Sequence, residues 1–180
     1  MEGFIKVMPL YHNLLNKYKN KVFVETGSWQ GEGIKIALEC GFERIFSIEI
    51  SPQHVKVCRM MFKNESRVEL IEGNSAVCLQ TVLEKLKEPV TFWLDAHNAG
   101  YFAGIKNMEE CAALGELDAI AKHEIKTHTI MLDDVRLMRE PAFGVSIEEV
   151  VKKLQGINPK YRILYEDSPA AAQDIMVAVK

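Results

Sequence analysis

Paired cysteines are missing from this sequence. Its four cysteines, Cys40, Cys58, Cys78 and Cys111, are widely spaced, and no two form a C-x-x-C pair. That argues against a disulfide framework and leads us to expect reduced, mostly buried thiols in a cytoplasmic protein. No run of about 18 apolar residues occurs, so no membrane-spanning helix and no membrane partner are expected. The N-terminus lacks the basic, then apolar, then small-residue order of a secretory signal. An excess of one charge is also lacking. The 22 Lys and Arg face 25 Asp and Glu, for a net charge of −3, and no basic stretch is interleaved with aromatics. Bulk attraction to a polyanion is thereby excluded, and nucleic acid is not the expected substrate. No repeat, low-complexity tract or linker divides the chain, so residues 1–180 read as one domain, with 1–20 as an N-terminal helical extension.

What is present is a regular alternation of short β-branched or aromatic runs with amphipathic stretches. Strands are predicted at about 21–25, 44–49, 68–71, 90–95, 128–132, 160–165 and 174–179. Helices are predicted at about 31–40, from Ser51-Pro52 onward, after Gly73-Asn74-Ser75, at 108–122 and at 146–155. Ser51 followed by Pro52 is a helix-start signal, and Ser146 with Glu149 reads as a capping box. Residues 4–18 carry apolar positions near helical spacing, broken by Pro9, and are expected to cap the sheet. Only a loop separates the last two strands, which permits an antiparallel pair and not a parallel crossover. Trp93 is expected in the core, and His54, His123 and His128 in structural roles.

The chemistry concentrates at one predicted sheet edge. Val22-Phe23-Val24 is a buried strand that breaks at Glu25-Thr26-Gly27-Ser28-Trp29-Gln30-Gly31-Glu32-Gly33 and opens into a helix. The glycines allow positive φ and close approach of a ligand to the backbone. Glu25, Glu49, Asp95 and the pair Asp133 and Asp134 all fall at strand ends, which in a parallel sheet share one edge with the usual ligand crevice. Glu49, 16 residues after Gly33, can accept two bonds from adjacent ribose hydroxyls. The glycines do not spell G-x-G-x-x-G, and Glu25 would repel a pyrophosphate but attract an ammonium.

The Glu25 to Gly33 segment resembles motif I of class I S-adenosylmethionine-dependent methyltransferases. It is especially similar to the form in macrocin-type small-molecule O-methyltransferases, where acid-x-Gly-x-Trp-x-Gly replaces the commoner glycine pattern. The order of elements resembles that family from about residue 20 to 180. It implies an α/β fold: a Rossmann-like, seven-stranded, mostly parallel sheet with a C-terminal antiparallel hairpin and helices on both faces. It also implies S-adenosylmethionine as cofactor, bound by Glu25, Thr26, Gly27, Ser28, Trp29, Gly31, Glu49, Ile50, Asn74, Ser75 and Asp95. Within that set Glu25 and the backbone at Gly27 would hold the methionine part, Glu49 the ribose, and Asn74 and Ser75 the adenine. Asp95 would lie near the methyl-transfer centre.

Asp95, Asp133 and Asp134 would converge if strands four and five pair, and such hard oxygen ligands suit Mg²⁺. His97 is the candidate general base and Asp95 the second catalytic candidate. Tyr101 and Phe102, flanked by Gly100 and Gly104, are expected to form a flap over the substrate. The leading expectation is methyl transfer to a hydroxyl of a small molecule, with a homodimer supplying the pocket wall that a short N-terminal extension leaves open. The alternatives are a non-catalytic methyltransferase-like binding protein and a dinucleotide-dependent oxidoreductase.

Overall fold

The structure, a computed structural model, describes residues 10–96, 112–140 and 143–180. In chain order the elements are α1 (His12–Lys17), β1 (Val22–Thr26), α2 (Glu32–Glu39), β2 (Arg44–Glu49), α3 (Pro52–Met61), β3 (Val68–Glu72), α4 (Ser75–Glu84) and β4 (Val90–Leu94). Then come α5 (Ala112–Lys122), β5 (Thr129–Leu132), a 3₁₀ turn (Leu137–Arg139), α6 (Ile147–Ile157), β6 (Arg162–Glu166) and β7 (Ile175–Val179). The strands form one seven-stranded sheet in the order β3-β2-β1-β4-β5-β7-β6. β1 to β5 pair in parallel, and β7 runs antiparallel to both β5 and β6.

This is the predicted α/β architecture, with boundaries displaced by a residue or two. β1 runs on to Thr26, so Glu25 is inside the strand. β4 stops at Leu94 and β5 at Leu132, so Asp95 and Asp133 are the first loop residues.

The sheet carries an apolar layer on each side. Val22 and Val24 of β1 face a layer built by α4, α5 and α6, including Leu79, Leu117 and Leu154. Phe23, between them, points the other way into a layer with Leu14 of α1, Ile34 of α2 and Cys58 of α3. That alternation fixes the register, because a one-residue slip would swap the two sets. β1, β4 and β5 are buried along their whole length, as strands covered on both faces require. Trp93 is among the fully buried side chains.

Local signals act where expected. Ser51 accepts from the His54 N–H and Pro52 opens α3, while Ser146 and Glu149 close a capping box on α6. In α1, Leu14 and Leu15 are buried, and the Tyr18 hydroxyl and Lys17 ammonium both meet Glu166 of β6. The described part of the N-terminal extension is therefore a cap tied to the sheet; residues 4–9 of that predicted helix lie outside the described residues. Cys40, Cys58 and Cys78 are free thiols, and Cys111 lies outside the described residues. Among the described residues no helix is long and apolar enough to cross a membrane.

Candidate active site

Strand order reverses between β1 and β4, and in an open α/β sheet that point, at the carboxyl ends of the strands, is where a ligand crevice is expected. Gly27 closes the gap between these two strands. Its φ is +86°, and a Cβ there would lie 2.6 Å from the Asp95 carbonyl oxygen. Its N–H donates to Ile48 O at 2.8 Å, while Asp95 N donates to Thr26 O at 3.1 Å. The tips of β2, β1 and β4 are thus laced together through one glycine.

The rest of the loop is held by side chains beneath it. Trp29 takes a left-handed φ of 44°, an uncommon state for a bulky residue and one found at ligand sites. It is pinned at both ends: its N–H donates to Glu49 Oε2 at 2.9 Å, and its carbonyl accepts from Cys58 Sγ at 3.6 Å. Gly31 leaves room for the Phe62 ring, 2.7 Å from where a Cβ would stand. Gly33 needs space and not positive φ, because its Cβ would fall 2.0 Å from Glu25 Oε2.

Glu25 is 2% exposed, and its Oε1 accepts from Ser47 Oγ at 2.6 Å. Ser47 is also bonded to Ser28 Oγ. Burial pushes the Glu25 carboxyl up to about 8, with a further push from Asp95, Glu49 and Glu32 against the Ser47 bond. A group so placed is mostly neutral at pH 7. Glu49 differs, because backbone N–H groups of Trp29 and Ser51 donate to its two oxygens at 2.9 and 2.8 Å. A carboxylate so held is oriented, and each oxygen keeps a lone pair for a ligand hydroxyl. Ile50, half-buried, follows it at the crevice rim.

At the tip of β3, Asn74 Oδ1 accepts from Ala76 N at 2.9 Å and caps α4. The predicted adenine acceptor is thus also a helix cap, with one lone pair left. Ser75, 6% exposed, starts the helix.

Asp95, Asp133 and Asp134 do converge, each offering a carboxylate oxygen within 4.8 Å of the others. Asp133 is 2% exposed and the other two are half-buried. Burial raises the Asp133 carboxyl well above its ordinary value, and Asp95 and Asp134 raise it further. Asp134 has φ 62°, a second left-handed non-glycine residue at this edge. It meets Arg136 Nη2 at 2.7 Å, and Arg136 Nη1 also pairs with Asp174, which is fully buried. His97 lies outside the described residues, as do Tyr101, Phe102, Gly100 and Gly104 of the predicted flap.

Two functional-edge residues, Asp174 and Glu116, were not singled out in the sequence. Arg136, after strand five, reads there as a solvated loop cation or as a partner for an anionic substrate, and in the structure it pairs with Asp134 and Asp174. Glu116 had a visible signal: it interrupts the apolar stripe Ala113, Leu117 and Ile120 of α5, and it is fully buried.

No family model matches this chain, and no curated protein matches it in sequence. Solved structures do. A methyltransferase of Podospora anserina, PaMTH1, bound to S-adenosylhomocysteine, superposes with a TM-score of 0.63 at 20% identity, covering 93% of this chain and 75% of that one. An O-methyltransferase from Bacillus cereus, also with S-adenosylhomocysteine, gives 0.59 at 18% identity over 94% of this chain and 78% of its own. A TehB-like S-adenosylmethionine-dependent methyltransferase from Corynebacterium glutamicum gives 0.61 at 11% identity over 94% and 86%. The chain has the methyltransferase fold. In that fold the crevice between β1 and β4 is where the glycine loop, Glu49 and the aspartate cluster meet, and the antiparallel β7 replaces the last parallel strand of a dinucleotide fold.

Proposed function

We propose that this chain is an S-adenosylmethionine-dependent methyltransferase that transfers a methyl group to a hydroxyl of a small molecule in the cytoplasm. The observation that carries the reading is the hydrogen bond from the Trp29 N–H to Glu49, which ties the glycine loop to an acid at the tip of β2, on the carboxyl edge of the sheet. The loop from Thr26 to Gly31 would cradle the methionine part, with Glu49 and Ile50 against the ribose and Asn74 and Ser75 against the adenine. Glu25 is a buried carboxyl with no cation beside it among the described residues, and the cofactor ammonium would supply one. Transfer by direct attack on a sulfonium methyl rests mainly on alignment of the two reactants. His97 and Asp95 are the residues we assign to the substrate hydroxyl, with His97 accepting its proton. A homodimer would complete the substrate pocket.

The donor set suits Mg²⁺. Three carboxylates of Asp95, Asp133 and Asp134 lie within 4.8 Å of one another. Asp95, Asp133 and Asp134 would each hold the ion through one carboxylate oxygen, the hard donor that Mg²⁺ prefers. A bound Mg²⁺ would supply Lewis acidity that lowers the pKa of a substrate hydroxyl. Arg136 already serves Asp134 as a cation, and the ion would have to compete with it.

Calorimetric titration with S-adenosylmethionine, S-adenosylhomocysteine and NAD, each with and without Mg²⁺, tests this reading on the natural chain and on Glu49→Ala. Micromolar binding of the adenosyl ligands, weakened at least about tenfold by Glu49→Ala, is the expected result. Binding of NAD in their place would instead favour the oxidoreductase, against which the antiparallel hairpin and Glu25 argue. Adenosyl binding with no turnover of any hydroxylated acceptor would favour the non-catalytic alternative.

A further inference from the structure

Glu116 is the buried group that the assignments above leave without a task. It sits on α5 with no exposure, and among the described residues neither carboxylate oxygen is held by a regular hydrogen bond. Two hydroxyls lie beside it, Ser75 at the start of α4 and Thr26 at the end of β1, and both favour its ionised form. The neighbouring residue explains the approach. A Cβ at Gly115 would fall 2.8 Å from Ala76 Cβ, so α5 crosses the first turn of α4 closely and brings Glu116 under Ser75. A carboxylate buried without donors is costly, and rotation of two adjacent hydroxyls is the least motion that satisfies it.

We propose that Glu116 is a positioning residue for purine recognition: it draws the hydroxyl hydrogens of Ser75 and Thr26 inward, so that Ser75 Oγ presents only lone pairs to the crevice. Ser75 then accepts from an exocyclic amine and does not donate to a ring nitrogen. The ligand class selected is a 6-aminopurine nucleoside over its 6-oxo counterpart. On the other side, Thr26 Oγ1 keeps its lone pairs for the Asp95 N–H, 3.3 Å away, which steadies the tip of β4. This inference rests on the adenosyl-cofactor reading.

The test compares S-adenosylhomocysteine with S-inosylhomocysteine by calorimetry at pH 8.5, above the value of about 7 to which burial raises the Glu116 carboxyl. The natural chain should prefer the amino ligand. In Glu116→Gln the amide N–H₂ can donate to Ser75 Oγ and turn its hydroxyl outward, and the preference should fall about tenfold. Ser75→Ala carries the same test without touching the buried carboxyl: it should lose the same share of the preference, and adding Glu116→Gln to it should change the ratio no further. A ratio unchanged in either single variant overturns the proposal, because a purely structural Glu116 would lower stability and leave the ratio alone. If the natural chain binds neither ligand, the cofactor reading itself fails, and this inference with it.

Discussion

The two edges of the sheet treat buried polar groups in opposite ways. At the amino edge, where β4 and β5 begin, His128 and His123 are buried and every ring nitrogen is used. Val90 N donates to His128 Nδ1 at 3.1 Å, so His128 carries its proton on Nε2 and donates to His123 Nδ1 at 2.9 Å. His123 Nε2–H then reaches Leu86 O at 3.1 Å. Asn20 and the Thr91 hydroxyl tie the start of β1 to β4 in the same way. At the carboxyl edge, Glu25, Glu116 and Asp133 are buried with raised pKa values, and Trp29 and Asp134 hold left-handed backbone. One edge is closed on itself. The other keeps charge and strain that a bound cationic, hydroxyl-bearing ligand would relieve. Strain and costly burial persist only where the surrounding fold over-determines them, and here the two packed layers do so.

The strongest way to break the comparison is to deny the carboxyl edge its shape. Gly27→Ala places a Cβ 2.6 Å from the Asp95 carbonyl oxygen, a backbone atom that cannot swing aside, at a φ that side chains disfavour. Adenosyl-ligand affinity should fall on the order of a hundredfold, with the loss read by calorimetry. An unchanged affinity would mean that the ligand does not use the β1–β4 crevice.

The amino edge breaks by acid instead. Burial lowers the His128 pKa to about 4, helped by its neighbour His123, whereas an unfolded chain titrates near the ordinary value of 6.5. The unfolded state therefore binds more protons between those values. The stability that neutral His128 contributes is complete above pH 6.5 and is lost as pH falls toward 4, in total about 3 kcal/mol. Because Glu25, Glu116 and Asp133 gain stability over the same range, the loss is read as a difference between two chains. Measured by urea unfolding, the stability of the natural chain relative to His128→Gln, which can still accept from Val90 N, should fall by about 3 kcal/mol between pH 7.0 and 4.2.

The fold was legible because each local signal agreed with the global pattern. Alternating Val22, Phe23 and Val24, the Ser51-Pro52 start and the Ser146–Glu149 box each pointed to the element that formed. The convergence of Asp95, Asp133 and Asp134 was equally readable, because adjacent parallel strands bring their ends together. Charge states were not legible. Glu25 and Glu49 both look like strand-end acids, yet one lies against Ser47 under α2 and the other accepts two backbone N–H groups. Gly33 looked like a residue needing positive φ and is instead one needing room for Glu25. Such distinctions depend on which way a side chain leaves the strand: Glu25, two residues after Phe23, falls on the same face and meets α2. Asp174 was hidden for another reason. Its partner Arg136 is 38 residues away, and nothing local in either segment announces the pair.

Glu25 gives the finest test of whether the carboxyl edge carries cost on behalf of a ligand. Its folded pKa of about 8 lies above the ordinary 4.5, so the folded chain holds a proton there that the unfolded chain releases between those values. Stability from this group is complete below pH 4.5 and declines as pH rises through 8. Glu25→Gln removes that decline, so its stability relative to the natural chain should rise by up to about 5 kcal/mol between pH 4.5 and 8.5, seen as a growing difference in urea midpoint. The same substitution should weaken S-adenosylmethionine binding. A ligand ammonium arriving beside Glu25 favours the ionised carboxyl, so binding to the natural chain at pH 7 should release up to about one proton. Calorimetry in buffers of different ionisation enthalpy reads that proton directly, and Glu25→Gln should abolish its release. If stability rises and the proton count does not change, the cost at Glu25 serves the loop's shape and not the ligand's charge.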